Sequence, residues 1–231
     1  MTARAVRAVF FDVDFTLIYP GPAFQGEGYQ RFCASHGVTV DAGTFDEAVK
    51  ASAFIIDEVE EPTYDHDLFV RYTASIIEHM GGRGPGVIPA AREIYEQWAT
   101  NHHFEMYDDV EPVLRALVEQ GFTVGAISNS HRSLEAFCEH FSLRGLIHAT
   151  VSSFEHGYLK PHPSIFEEAL TRAGVEAASS LMVGDSVKAD VSGALAAGMR
   201  AVLLRRSGDI PADAPAGVPI IRSLTELPAF L

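Results

Sequence analysis

The stretch AVFFDVDFTLIYPGP, Ala8 to Pro22, decides how the rest of this chain is read. Val9, Phe10 and Phe11 predict the interior of a buried strand, and such a run normally gives way to turn residues rather than to charge. Here it gives way to Asp12 and Asp14, with Thr16 two positions further on. A lone acid at a strand end is most often the N-cap of a following helix. Two acids separated by one residue raise the question of what else the chain brings to that strand end.

The 231 residues suffice for one large domain, or for a core domain with a smaller insert. A composition of 47% hydrophobic and 21% charged residues excludes a disordered chain. No apolar run approaches the roughly 18 residues of a membrane span. The N-terminal RAVRAVFF meets Asp12 before a signal-peptide core can develop, so a cytoplasmic protein without a membrane partner is expected. Cys33 and Cys138 fall in separate helical segments with no metal-ligand spacing, which predicts reduced structural thiols. The net charge of -14, from 17 basic and 31 acidic residues, disfavours nucleic acid as a partner. A small phosphorylated ligand would need a local site of metal, lysine or backbone amides.

From Tyr107 onward helix and strand alternate. YDDVEPVLRALVEQG is an amphipathic helix stopped at Gly121, and FTVGAISNS is a strand. SLEAFCEHFSL (helix), LIHATVSS (strand), PSIFEEALTRAG (helix), SLMVGD (strand), KADVSGALAAG (helix) and RAVLLRR (strand) continue the pattern. A last short strand and a helix, SLTELPAFL, follow a proline-rich loop. Near-continuous apolar strands between helices predict a parallel sheet covered on both faces. The first strand, AVRAVFF, joins that sheet across a gap of about 90 residues, far too long for a normal crossover. PAFQGEGYQRFCASHG, TFDEAVKASAFIIDEV, DHDLFVRYTASIIEHMGG and IPAAREIYEQWATNHH fill the gap with four candidate helices, their apolar residues spaced as in Phe69, Tyr72 and Ile76. The fold class is therefore α/β: a doubly wound, Rossmann-like parallel-sheet core over residues 1–16 and 106–231, and a smaller all-α helical-bundle cap over residues 17–105.

Open α/β sheets bind ligands at the carboxyl ends of their strands. Those ends carry Asp12, Asp14 and Thr16; Ser128 and Asn129; Lys160 in the following loop; and Asp185 with Asp190. This set suits phosphoryl transfer through an aspartyl phosphate. Asp12 and Asp185 offer the hard anionic oxygens that Mg²⁺ takes. Lys160 supplies compact positive charge, while Ser128 and the amides around Asp14, Phe15 and Asn129 can hold phosphoryl oxygens. Asp14 can protonate a leaving alkoxide and then activate water.

Over nearly its full length the chain resembles the haloacid dehalogenase superfamily of hydrolases. DVDFTL resembles the family motif DxDxT, ISN the second motif, KPHPSIF the third with its lysine, and VGDSVKAD the fourth, GDxxxxD, in the expected order. The helical insert resembles the cap of the subfamily whose cap follows the first strand. The resemblance implies a Mg²⁺-dependent phosphatase of a small phosphorylated metabolite, monomeric or homodimeric. It makes Asp12 the nucleophile, Asp14 the acid/base, and Thr16, Ser128 and Asn129 phosphate binders. Lys160 would clamp phosphate and nucleophile. Asp185 and the Asp14 carbonyl would join Asp12 on the metal, with Asp190 orienting them from behind. Two residues depart from the pattern: Phe15 stands where many members carry glycine, and Ala189 where Asn is common. Phe15, Tyr19, Phe24 and Gln25 are expected near the substrate, because the chain leaves the catalytic loop there.

Three rival readings follow from the same residues. Dehalogenating relatives lack the acid at Asp14 and need no magnesium. Phosphonate-cleaving relatives use a cap lysine as an imine, and Lys50 is the insert's one lysine, yet they carry a small residue where Asp14 stands. A non-catalytic phosphate-metabolite binder would be expected to have lost Asp12, Asp14 or Lys160. His102 and His103 lack the spacing of a helical metal pair, Lys188 is a weaker candidate for the clamp than Lys160, and Trp98 with Tyr95 and Ile94 reads as core of the insert.

Overall fold

The computed structural model describes residues 5–57 and 62–231. It divides into two compact units, Met1–Tyr19 with Met106–Leu231, and Pro20–Glu105. The unit containing both chain ends holds a six-stranded parallel sheet. Its strands are β1 (Ala8–Phe11), β4 (Thr123–Ser128), β5 (Ala149–Ser152), β6 (Ser180–Gly184), β7 (Arg200–Leu204) and β8 (Ile220–Ile221), in the order β5-β4-β1-β6-β7-β8. Two short strands, β2 (Ile18–Pro20) and β3 (Phe104–Met106), form a separate pair where the chain leaves and re-enters this unit. From β1 the chain builds outward to β4 and β5, then returns to build outward through β6, β7 and β8. The strand order reverses at β1, and crevices for ligands open at such a reversal.

Every residue of β1 is buried, as its apolar run predicts, because the strand lies between β4 and β6. Phe10 packs with Ile127, Val151, Ile165, Phe166 and Met182 in one continuous core. The connecting helices are α6 (Val110–Glu119), α7 (Leu134–His140), α8 (Ser153–His156), α9 (Pro163–Ala173) and α10 (Gly193–Ala196). Helix α9 opens on Pro163 and stops at Gly174, whose φ of 64° is the left-handed cap that only glycine adopts without strain.

Two predicted helices take other forms. KADVSGALAAG begins as a π-helix, Val187–Ser192, before α10. There the amides of Asp190 and Val191 both donate to the Ser186 carbonyl, so one extra residue is accommodated in the turn that carries Asp190. SLTELPAFL winds as a 3-10 helix, Leu224–Phe230, with Pro228 inside it and a capping box between Ser223 and Glu226 at its start.

The second unit contains α1 (Gly26–Ser35), α2 (Phe45–Ser52), α3 (Phe54–Asp57), α4 (His66–His79) and α5 (Val87–Trp98). The single helix predicted over 44–59 breaks at Ala53 into α2 and α3, and its last two residues lie outside the described ones. On α4 the buried stripe is Val70, Thr73, Ala74, Ile77, with Leu68 and Ile76 beside it. Phe69 and Tyr72 sit half-buried at its margin, one position off the predicted face, and the Phe69 ring stacks on Tyr95 at 5.3 Å.

Candidate active site

Asp12 emerges directly from β1. Phe11 is level with Ala126 of β4 and Val183 of β6, and the Asp12 amide donates to the Val183 carbonyl at 2.9 Å, so the next side chain opens between two neighbouring strand ends. Lys160 meets it there. Its ammonium donates to Asp12 Oδ1 at 2.6 Å, to Asp190 Oδ1 at 2.7 Å and to the Ile127 carbonyl at 2.8 Å. Three N–H groups find three acceptors, which is the full capacity of a lysine. Burial by itself would lower the pKa of Lys160, but the charges and hydrogen bonds of Asp12 and Asp190 outweigh it and hold the amine protonated.

Asn129 fixes that lysine from behind: its Nδ2 donates to the Lys160 carbonyl at 2.9 Å, and its Oδ1 accepts from the Lys160 amide at 2.7 Å. Its side chain is thus committed to the backbone of Lys160, and the phosphoryl-oxygen donor expected at this residue is its own backbone amide. Asp190 is fixed as tightly, with its second oxygen accepting from the Ser186 amide at 3.0 Å. Gly184 makes room for it, since a Cβ there would lie 2.2 Å from Asp190 Oδ2.

The carboxylates outnumber the cation. One oxygen from each of Asp12, Asp185 and Asp190 lies within 4.8 Å of the others. Burial, and then the neighbouring acids, push Asp12 well above the usual carboxylate range against the pull of Lys160. Desolvation and Asp190 push Asp185 up to about 7. Clustered acids whose pKa values rise together are short of positive charge, and hard oxygen donors suit Mg²⁺. The residues therefore fit a divalent cation held by Asp12 and Asp185, with both oxygens of Asp190 already engaged in orienting Lys160 and the Ser186 turn.

The loop after Asp12 is wound tightly. The amides of Thr16, Leu17 and Ile18 all approach the Val13 carbonyl at 2.8 to 3.3 Å, and the Phe15 amide donates to the Ile18 carbonyl at 2.6 Å. The Phe15 amide is therefore already engaged and does not serve as the phosphoryl-oxygen donor predicted from sequence. Phe15 has φ of 64°, left-handed backbone, and its ring is 46% exposed. Glycine adopts this conformation freely, whereas phenylalanine does so at a cost of roughly 1–2 kcal/mol. Thr16 is wholly buried, and its hydroxyl has no hydrogen-bond partner among the described residues. The Ser128 hydroxyl donates to Ser130 Oγ at 3.1 Å.

Two arginines that the sequence did not single out hold this loop. Arg132 is buried and its Nη1 donates to Asp14 Oδ1 at 2.8 Å. Arg206 donates from Nε and Nη2 to the Thr16 carbonyl, pairs with both oxygens of Asp109, and lies 3.7 Å over the Tyr107 ring. In sequence both look like solvated loop charges. The one hint at Arg132 is its place just after ISN, at a strand end that already carries polar groups.

The residues expected near the substrate divide. Tyr19 is half-buried against Tyr107, with ring centroids 4.7 Å apart, and Gln25 is exposed. Phe24 is corrected: its ring is 2% exposed, packed on Trp98 at 4.6 Å and Phe104 at 5.4 Å inside the helical unit, so it is core. Lys50 and Lys188 are exposed on their helices. Both cysteines are buried free thiols, which burial pushes up to about 11. No helix among the described residues is long and apolar enough to cross a membrane.

Comparison with known proteins agrees with this geometry. The chain is 29% identical over 219 residues to the bovine (Bos taurus) haloacid dehalogenase-like hydrolase domain-containing protein 3, covering 90% of this chain and 84% of that one. It is 31% identical over 213 residues to a glyceraldehyde 3-phosphate phosphatase of Methanothermobacter thermautotrophicus, covering 86% and 85%. The crystal structure of a 2-haloacid dehalogenase from Pseudomonas syringae superposes with a TM-score of 0.64 at 27% identity over 97% of each chain. A model of haloacid dehalogenase-like hydrolases matches residues 6–198, which include all four strand-end motifs, and the chain belongs to that family.

Proposed function

We propose that this hydrolase is a Mg²⁺-dependent phosphatase that cleaves a small phosphate monoester through an aspartyl phosphate on Asp12. The observation that carries the reading is the placement of Lys160 on Asp12 and Asp190 at the end of β1, beside Asp185. When bound, the cation would supply the positive charge that lets Asp12 stay ionised and approach an anionic phosphoryl group.

Asp12 attacks phosphorus, the P–O bond to the leaving group breaks, and Asp14 delivers a proton to the departing alkoxide. Asp14, now a carboxylate, takes a proton from water. The hydroxide attacks phosphorus and the bond to Asp12 breaks, so the sum is ester plus water to alcohol plus inorganic phosphate. Lys160 stays protonated throughout and offsets charge on the phosphoryl oxygens. Thr16 and Ser128 line the loop ends from which phosphate would be held. Every group named lies in the sheet-bearing unit. The insertion of the helical unit directly after the nucleophile loop supports its reading as the domain that selects the leaving group.

The likeness to a 2-haloacid dehalogenase raises carbon–halogen cleavage as the second reading. A halide departs without a proton, and that chemistry gives no task to a carboxylate at Asp14 held by a buried arginine. Purified protein is assayed for phosphate release from a panel of sugar phosphates, phosphoglycolate and nucleotides, and for halide release from 2-haloacids, with Mg²⁺ or EDTA. Phosphate release that EDTA abolishes and Asp12→Asn lacks is the expected result. Halide release, or phosphate release equal in wild type and Asp12→Asn, overturns it.

A further inference from the structure

We infer that Arg132 is a positioning residue for Asp14, holding one oxygen of that carboxylate so that the other serves proton transfer; this rests on the phosphatase reading above. Arg132 Nη1 meets Asp14 Oδ1 at 2.8 Å, and the arginine side chain is closed to solvent while that of Asp14 keeps partial exposure. The charge of that guanidinium therefore falls on Asp14, the carboxylate it meets.

The arginine is itself held. Its amide donates to Ser130 Oγ at 3.3 Å, Ser130 Oγ accepts from Ser128, and the Ser130 carbonyl accepts from the Phe154 amide at 3.4 Å. The loop after β4 is thereby tied to the start of α8, and Arg132 leaves a fixed backbone. Asp14 needs such support. It lies between Val13, whose carbonyl gathers three amides, and Phe15, whose backbone is left-handed, so its backbone is determined while its side chain keeps two rotatable bonds. One charge-assisted bond from a buried, anchored donor removes that freedom and engages only one oxygen. A carboxylate within 1 Å of its productive place and one that wanders differ by orders of magnitude in rate.

The chemistry separates this role from a merely structural salt bridge. An alkyl leaving group needs the proton that Asp14 delivers, whereas p-nitrophenolate leaves without one. Arg132→Met should therefore lower kcat/KM, which reports the steps through phosphoryl transfer, on glycerol phosphate by roughly 10-fold or more beyond its effect on p-nitrophenyl phosphate, given that general acid catalysis is worth 10²–10⁴-fold. In an Asp14→Asn background the same substitution should change kcat/KM on either ester by less than about 2-fold, because residues acting as one unit are not additive. Melting temperatures of the four proteins give a second cycle, with the Arg132→Met loss smaller in the Asp14→Asn background. If Arg132→Met fails to fold, Arg132→Lys, which keeps the buried charge but loses the planar donor, carries the same comparison. Equal loss on both esters, undiminished by Asp14→Asn, overturns the positioning role and leaves the phosphatase reading standing. A wild type that releases phosphate from neither ester overturns the phosphatase reading first.

Discussion

Asn129 grips the backbone of Lys160 from both sides, donating to its carbonyl at 2.9 Å and accepting from its amide at 2.7 Å. The pair joins the end of β4 to the loop before α9, 31 residues on, and sets where the ammonium meets Asp12. Asn129→Ala removes both bonds and leaves the Lys160 amide to find another acceptor. A loss of about 1–3 kcal/mol in denaturant unfolding is expected, together with a fall of roughly 10- to 100-fold in kcat from the displaced lysine. Unchanged kcat in a folded variant would show that Lys160 is placed by other contacts.

Asp185 and Asp12 give the metal-free protein a pH dependence of definite sign. Asp185 is raised from the ordinary 3.8 to about 7, so the folded state binds this proton more tightly than the unfolded chain. Its contribution turns unfavourable as pH rises between about 4 and about 7, and stays so above. Asp12, raised in the same direction, adds to this. Mg²⁺ competes with those protons and should raise the melting temperature more at pH 8 than at pH 5.5. Thermal melts with Mg²⁺ or EDTA at the two pH values check it, and an equal effect at both removes these acids from the metal site.

Asp109 has the opposite sign. Burial raises its pKa, yet hydrogen bonds from Arg206, Ser223 and the Leu224 amide outweigh that and hold it below the usual value. Its stabilisation is full above about pH 4 and fades as pH falls below that. Asp109→Asn should cost about 1.5–3 kcal/mol at pH 7, the scale of hydrogen bonds to a charged group, and less at pH 3, below the unfolded-state value. Because Arg206 also donates to the Thr16 carbonyl, kcat should fall as well. A stability loss that is equal at both pH values would rule out a charged Asp109 as the cause.

Phe15→Gly isolates the backbone from the ring. Glycine accepts a φ of 64° freely, which relieves roughly 1–2 kcal/mol, while its greater unfolded-state freedom takes back about 0.5–1 kcal/mol. The melting temperature should hold or rise by a few degrees. With the exposed ring gone, selectivity across a panel of phosphate esters should broaden while the favoured ester loses rate. A drop in stability would mean that the ring packs more than its 46% exposure suggests.

Much of this molecule is legible in its chain because strands buried on both faces read as apolar runs, and active groups in such sheets follow them directly. β1, β4, β6 and β7 could be marked that way, and Asp12, Lys160 and Asp185 with them. Helix ends with chemical stops, such as Pro163 and Gly174 on α9, were equally readable. Local spacing did not reveal the π-turn under Asp190, the break at Ala53, or the burial of Phe24. Each depends on what another segment brings against it.

The sequence by itself determined the order of strands and helices, the acids at the end of β1 and the four motifs that place the chain in its family, since these are local patterns of burial and charge. Only the tertiary structure decided which side chains face one another. It brought Arg132 to Asp14 across 118 residues, set the Asn129 side chain as a brace on Lys160, and gave Phe15 a left-handed backbone. Hydrogen bonds and ion pairs between distant segments are set by how strands stack in register, and no spacing along one strand records its neighbour.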